Sequence, residues 1–213
     1  MKNYVLFDFD GTVFDSAEGI TKSVQYALGK MGIEADRRDL MCFAGPPLGE
    51  MFSLRYGMSA EQSHRAVELY RERYAPVGWA ECRPFPGMHE LMGRLHEKGI
   101  RLAVATSKPR HFAQRILEKY DMQRDFDLVC GSELDGTLGQ KWEVIEYALS
   151  QFGIAPSEAI MVGDRKYDVI GAKKCGVDCI GVRFGYAEPG ELEAEGAVYI
   201  AEDADDLYKY LTK

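Results

Sequence analysis

The chain is short of basic charge. Its 26 lysines and arginines are outnumbered by 34 aspartates and glutamates, which leaves a formal net charge of −8 over 213 residues. A broad nucleic-acid surface needs a basic patch, and none is visible, so nucleic acid is not expected as a partner. The deficit does not exclude an anionic substrate, because a metal ion and a few lysines set a local field of their own. Cysteine is sparse too: the five thiols, at 42, 82, 130, 175 and 179, are odd in number and follow no pairing pattern. With no secretory signal ahead of the first apolar run, they read as reduced thiols in a cytoplasm. Cys175 and Cys179 lack the second Cys or His pair of a metal site, and His64, His89, His96 and His111 sit at no ligand spacing. No apolar run is long enough to span a membrane. Repeats and low-complexity tracts are also missing. What remains, 46% hydrophobic and 28% charged, is a globular chain able to bury a substantial core, either as one domain or with an inserted module.

Short apolar runs rich in valine, isoleucine and small residues recur along the chain. They lie at 5–7, 101–106, 127–131, 159–163 and 179–183, with a weak one at 197–200. They show little alternation, as expected of strands covered on both faces. Helical patterns separate them at 88–98, 141–152 and 168–174, and another is expected to start at Lys108-Pro109, since proline tolerates an early helix position. Alternating strands and helices predict an α/β fold, a doubly wound, Rossmann-like parallel sheet. Residues 16–83 break the alternation and read as helical. Ser16 is placed to cap a first helix, Gly45-Pro46-Pro47 breaks the pattern, and Ser59 starts a further helix with a charged, solvated outer face. The expected organisation is a core of residues 1–15 and 84–213 with an inserted α-helical cap of residues 16–83.

The first strand runs into Asp8-Phe9-Asp10-Gly11-Thr12. Alone, this tetrad and threonine suit a turn that closes an edge strand. However, two carboxylates at strand period fall on one side, are costly to bury, and call for a cation or a shared proton. Other strand ends add chemistry: Thr106-Ser107-Lys108, then Lys141 at a helix start, then Asp164 with Asp168 four residues on. The ends of parallel neighbours meet at one edge, where open α/β sheets place their sites. Lys141 lies at the positive end of a helix dipole, a poor place for a solvated lysine. Asp168 has a plainer role available as a helix cap, and Arg165 and Lys166 read as surface charges. Asp8, Asp164 and a backbone carbonyl supply the oxygen ligands Mg²⁺ prefers. A carboxylate also serves as nucleophile toward phosphorus, a second acid, Asp10, handles the proton, and Lys141, the Thr106 hydroxyl and backbone N–H groups stabilise the phosphoryl charge.

With these motifs in this order, the chain resembles the haloacid dehalogenase (HAD) superfamily, subclass I, over essentially its whole length. Asp8 to Thr12 resembles its first motif, Thr106 its second, Lys141 its third, and Gly163-Asp164-Arg165-Lys166-Tyr167-Asp168 its fourth. The resemblance implies a Mg²⁺-dependent phosphatase. Asp8 would be nucleophile and metal ligand, and Asp10 would be general acid/base, with its carbonyl on the metal. Gly11, Thr106 and Ser107 would hold the phosphoryl oxygens, Lys141 would neutralise charge, Asp164 would bind Mg²⁺, and Asp168 would orient a metal water or Lys141. Asp10 marks the phosphatases and phosphomutases rather than the dehalogenases. The fourth motif and Gly181-Val182-Arg183-Phe184-Gly185-Tyr186 look like the phosphoglycolate phosphatase-like and 5′-nucleotidase-like branch. The expected substrate is a small phosphorylated metabolite and the expected state a monomer or weak dimer. In the cap, Ala44 to Leu48 is the candidate specificity loop, Arg55 a candidate for an anionic substrate tail, and Leu48, Met51 and Phe52 a pocket wall or cap core. A β-phosphoglucomutase-like mutase, a non-catalytic phosphate-binding regulator and a nucleotide-sugar transferase are the competing readings.

Overall fold

A computed structural model describes residues 2–213. The chain opens with β1 (Tyr4–Phe7) and a short β2 (Phe14–Asp15). Three helices come next, α1 (Ala17–Lys30), α2 (Leu48–Tyr56) and α3 (Ala60–Tyr74), with short 3-10 turns at Arg37–Phe43 and Gly78–Ala80. After β3 (Arg83–Pro84) the order is α4 (Met88–Glu97), β4 (Arg101–Pro109), α5 (Arg110–Lys119), β5 (Leu128–Ser132) and α6 (Lys141–Phe152). Then come β6 (Ala159–Gly163), α7 (Lys166–Lys174), β7 (Asp178–Val182), α8 (Glu191–Glu195), β8 (Tyr199–Ala201) and α9 (Ala204–Leu211).

Six strands form one parallel sheet in the order β5-β4-β1-β6-β7-β8. Its apolar runs lack alternation because helices cover both faces. Val5, Leu6 and Phe7 of β1 and Met161 and Val162 of β6 are wholly buried. On one face Leu6, Ala105 and Met161 share a core with Val144, Ile145 and Ala148 of α6 and Val169 of α7. In the other layer α4 and α5 bury Leu91, Leu95, Phe112 and Ile116. Truncating a side chain as deeply set as Phe7 costs about 3–5 kcal/mol, so the central strands are rigid ground for a site. Phe7 pairs with Val104 on one side and Val162 on the other, so the segments leaving β1, β4 and β6 emerge at the same sheet edge. β1 sits where the strand order reverses, the position that opens a crevice in this class of sheet.

The chain divides into two compact units: the residues up to Phe14 together with Pro84–Lys213, and Asp15–Arg83. The helical unit thus starts one residue before the expected boundary at 16. β2 and β3, which span the two crossings, pair with each other. Within the helical unit, Val24, Leu28, Phe43, Phe52, Leu69 and Tyr74 make the core, and the Phe43 and Phe52 rings meet tilted at 55° with centroids 4.9 Å apart. Met51 and Phe52 are therefore core, whereas Arg55 is exposed. α3 begins with a reciprocal cap between Ser59 and Gln62. Glu81 joins α1 to α3, accepting from Arg73 at 2.8 Å and from Lys22 at 2.9 Å. Those contacts, Arg73 foremost, outweigh its partial burial and pull its carboxyl down to about 2.

Three local expectations are corrected. Ser16 precedes α1 without a side-chain cap bond. The helix expected from Lys108-Pro109 forms with Phe112, Ile116 and Leu117 buried and Pro109 as its N-cap, but its start is displaced, since β4 runs through both residues and Pro109 still pairs with Ser132. Proline forces its predecessor out of the helical region, which keeps Lys108 extended, and α5 begins only at Arg110. Arg165 is not a surface charge: it is 6% exposed and bonds Glu191 at 2.9 Å.

Candidate active site

The site grows from the turn after β1. Asp8 extends the strand, donating its N–H to Val162 at 2.8 Å. The chain then closes on itself, with Phe14 N–H bonding the Phe9 carbonyl at 2.9 Å and Gly11 N–H bonding the Phe14 carbonyl at 2.8 Å. Gly11 turns this corner with φ +88°, and a Cβ there would lie 2.1 Å from Asp164 Oδ2, so only glycine fits. Because the turn starts at once, strand parity does not carry as far as Asp10. The two aspartates are held by different cations.

Asp8 belongs to Lys141. From the first turn of α6, the Lys141 ammonium lies 2.6 Å from Asp8 Oδ1 and 2.8 Å from Asp168 Oδ1, and it donates to the Ala105 carbonyl at 3.2 Å. The two carboxylate contacts are ion pairs, and the Ala105 carbonyl takes the hydrogen bond. The misplacement at a helix N-terminus is explained by the two carboxylates it serves. Burial works against the Lys141 charge, but Asp168 and Asp8 overcome it and hold the ammonium well above its usual range. Asp168 has both expected roles at once, since its other oxygen accepts from Arg165 N–H at 3.0 Å and caps α7.

Asp164, just past β6, is wholly buried. It accepts from the Thr12 hydroxyl at 3.1 Å and from Tyr186 N–H at 2.8 Å. Oxygens of Asp8, Asp164 and Asp168 lie within 4.8 Å of one another. Burial, then Asp168 and Asp8, raises the Asp164 carboxyl well above the ordinary range. Burial likewise raises Asp8 to about 6, against the pull of Lys141 and with the push of Asp168. Such a knot of hard oxygen donors is short of positive charge. Counting Asp10 and Lys108, four carboxylates face two ammonium groups, and the two negative charges left over are what one divalent cation cancels. The donor set suits Mg²⁺.

Thr106, 2% exposed, sits on β4 beside this cluster and accepts from Lys108 N–H at 3.2 Å. The Ser107 carbonyl is anchored by the Ser132 hydroxyl at 2.8 Å, which leaves its backbone fixed at the sheet edge. Asp10 is bound by Lys108, whose ammonium lies 2.8 Å from Oδ1 and 3.0 Å from Oδ2. Sequence reasoning set Lys108 at this strand end but gave it no role. β4 shifts register between Thr106 and Pro109, so strand parity with Thr106 offered no cue. The glutamate that seats the fourth motif was missed. Glu191 takes the Arg165 side chain and, at 2.8 Å, the Lys166 N–H. Its contact with the motif is set by folding, with no local pattern to reveal it.

A buried carboxylate just past β1, a lysine bridging it to a second acid and a third acid beside them, gathered at the carboxyl edge of a parallel sheet, make the arrangement of a hydrolase of the haloacid dehalogenase type. The model of the haloacid dehalogenase-like hydrolase family matches residues 5–182, and the chain belongs to that family. A 5′-nucleotidase of Pseudomonas aeruginosa is 43% identical over 208 residues, 97% of this chain and 94% of that protein. A crystal structure of a predicted phosphatase from Clostridium acetobutylicum shares 44% identity and a TM-score of 0.97, covering 100% of this chain and 99% of that one. A Mycobacterium bovis protein named tyrosine-protein kinase PtkA is 37% identical over 97% of this chain and 72% of its own length.

Proposed function

We propose that the protein is a Mg²⁺-dependent phosphomonoester hydrolase acting through an aspartyl-phosphate on Asp8, with nucleoside 5′-monophosphates as the first substrate class to test. The observation that carries this is the Lys141 ammonium bridging Asp8 and Asp168 beside Asp164, a buried acid cluster left short by about one divalent cation. Asp8 and Asp164, with the Asp10 carbonyl, would hold Mg²⁺, which when bound supplies charge for the phosphoryl oxygens. An oxygen of Asp8 bonds to phosphorus as the ester P–O bond breaks. The departing electron pair stays on the leaving oxygen, which takes the proton of Asp10. Water then bonds to phosphorus, the Asp8–P bond breaks, and the water proton passes to Asp10. Lys141 keeps Asp8 ionised and aimed, while Thr106 and the backbone at Gly11 and Ser107 bind phosphoryl oxygens.

In this proposal residues 1–15 and 84–213 carry the chemistry and residues 16–83 are the cap. The identity with a 5′-nucleotidase supports the substrate class, and the resemblance in the fourth motif keeps phosphoglycolate beside it. Five free thiols suit a reducing cytoplasm, and the proposed state is a monomer or weak dimer. No helix among the described residues is long and apolar enough to cross a membrane. The test is phosphate release from a panel of nucleoside monophosphates, sugar phosphates and phosphoglycolate, with Mg²⁺ and with chelator. Turnover confined to a sugar phosphate with a bisphosphate primer would make the protein a mutase, and retained turnover in Asp8→Asn would end the mechanism.

A further inference from the structure

Two lysines are buried at the sheet edge, and the proposed reaction employs one of them. The other, Lys108, has a side chain only 4% exposed, and its ammonium grips both oxygens of Asp10. Taking an ammonium out of water costs several kcal/mol even with a partner, and an apolar side chain of similar length would pack the same space without that cost. The backbone that presents it is pinned on both sides. Its N–H is bonded to Thr106 Oγ1, Ser107 is held by Ser132, and after a shift of register beyond Thr106 the ladder with β5 resumes at Pro109. The ammonium also lies 5.8 Å from the ring centre of Phe9. A bulge braced at both ends thus delivers a charge to an acid that itself sits in a turn.

We propose that Lys108 is a positioning residue for Asp10. It fixes the carboxylate where a proton is handed to the leaving oxygen and later taken from water. A proton-transfer group loses its advantage when it is free to wander, since catalysis depends on reacting atoms already in place. The inference rests on the role proposed for Asp10, and it assigns Lys108 no contact with phosphate.

The test compares an alkyl phosphate, whose alkoxide must be protonated as it leaves, with p-nitrophenyl phosphate, whose phenolate needs no proton. The ratio kcat/KM reports steps up to departure of the leaving group and is therefore blind to the later hydrolysis of the acyl phosphate. In Lys108→Met and Lys108→Gln, kcat/KM for the alkyl ester should fall by about 10²–10³-fold, within the range for a displaced general acid, and for the aryl ester by less than about tenfold. Lys108→Arg, which keeps the charge, should recover part of the alkyl activity. Equal losses on both esters, as expected of a phosphate ligand or of a damaged fold, would overturn the inference, and so would no loss on either. Asp10→Asn separates this from the parent reading. If Asp10→Asn spares the aryl ester and the Lys108 variants do not, only the role of Lys108 fails. If Asp10→Asn treats both esters alike, the role of Asp10 fails with it.

Discussion

Replacing the proposed nucleophile by its neutral isostere, Asp8→Asn, should abolish turnover and yet make the metal-free core harder to unfold. Asp8 is buried beside Asp164 and Asp168, and its carboxyl titrates at about 6 instead of 3.8. That difference, about two pH units at about 1.4 kcal/mol each, comes to about 3 kcal/mol. The direction is set by linkage. An acid with a folded pKa above its unfolded value binds its proton more tightly when folded. Its stabilising contribution is complete below pH 3.8 and is lost as the pH rises through about 6. Above neutrality the metal-free protein carries the full cost of an ionised Asp8, which the amide removes while its carbonyl still accepts from Lys141. In a protein of this size 1 kcal/mol moves the midpoint by about 2–4 °C. Thermal unfolding in chelator at slightly alkaline pH should therefore show Asp8→Asn melting above the parent, by at most roughly 6–12 °C. The gap should narrow on acidification toward the unfolded carboxylate range. Mg²⁺ at about 1,000 times its Kd should reverse the order, because it adds about 4.1 kcal/mol to the protein that binds it. A variant that melts below the parent in chelator would refute the claim that the acid cluster is electrostatically overcrowded.

Lys141→Met should do the opposite. It leaves Asp8 and Asp168 without their shared cation, an exchange that costs about 3–5 kcal/mol for a broken buried pair, and phosphate release should fall at least about 10²–10³-fold. A lower melting point with undiminished turnover would contradict the bridging role. Gly11→Ala puts a Cβ against Asp164 at a backbone angle disfavoured for alanine. The Mg²⁺-dependent rise in melting temperature should then shrink or vanish, as thermal unfolding with and without the ion would show.

Much of the fold was legible because the core strands are short, apolar and β-branched, which is the mark of a sheet covered on both sides. The helix from Lys141 to Phe152 was readable to the residue, having a reciprocal Gln140–Glu143 cap before it and Gly153 in the left-handed region after it. Strand ends were harder. Pro109 carries two meanings, helix start and strand terminus, and the ladder to β5 that decides between them is a long-range contact. Asp8 and Lys141 were suspected because each looked costly where it stood, Asp164 and Asp168 because parallel strand ends meet at one edge, and the structure brings the four together. Asp10 drew the right suspicion for an incomplete reason, since its counter-ion is Lys108 and strand parity with Asp8 plays no part. Arg165 looked like a surface charge because its partner, Glu191, lies 26 residues away on α8.

The helical unit leaves and rejoins the other unit through two strands, β2 and β3, that pair with each other. The contacts among Asp8, Asp10, Lys108, Lys141, Asp164 and Asp168 are all made by residues on the other side of that crossing. An insert with adjoining ends is a cassette: its length, helix count and surface can drift, or be exchanged wholesale, at one point on the chain, without moving Asp8, Lys141 or Asp164. Descent can therefore run at two speeds within one polypeptide, slow in the cluster of acids and lysines and fast in the stretch from Asp15 to Arg83.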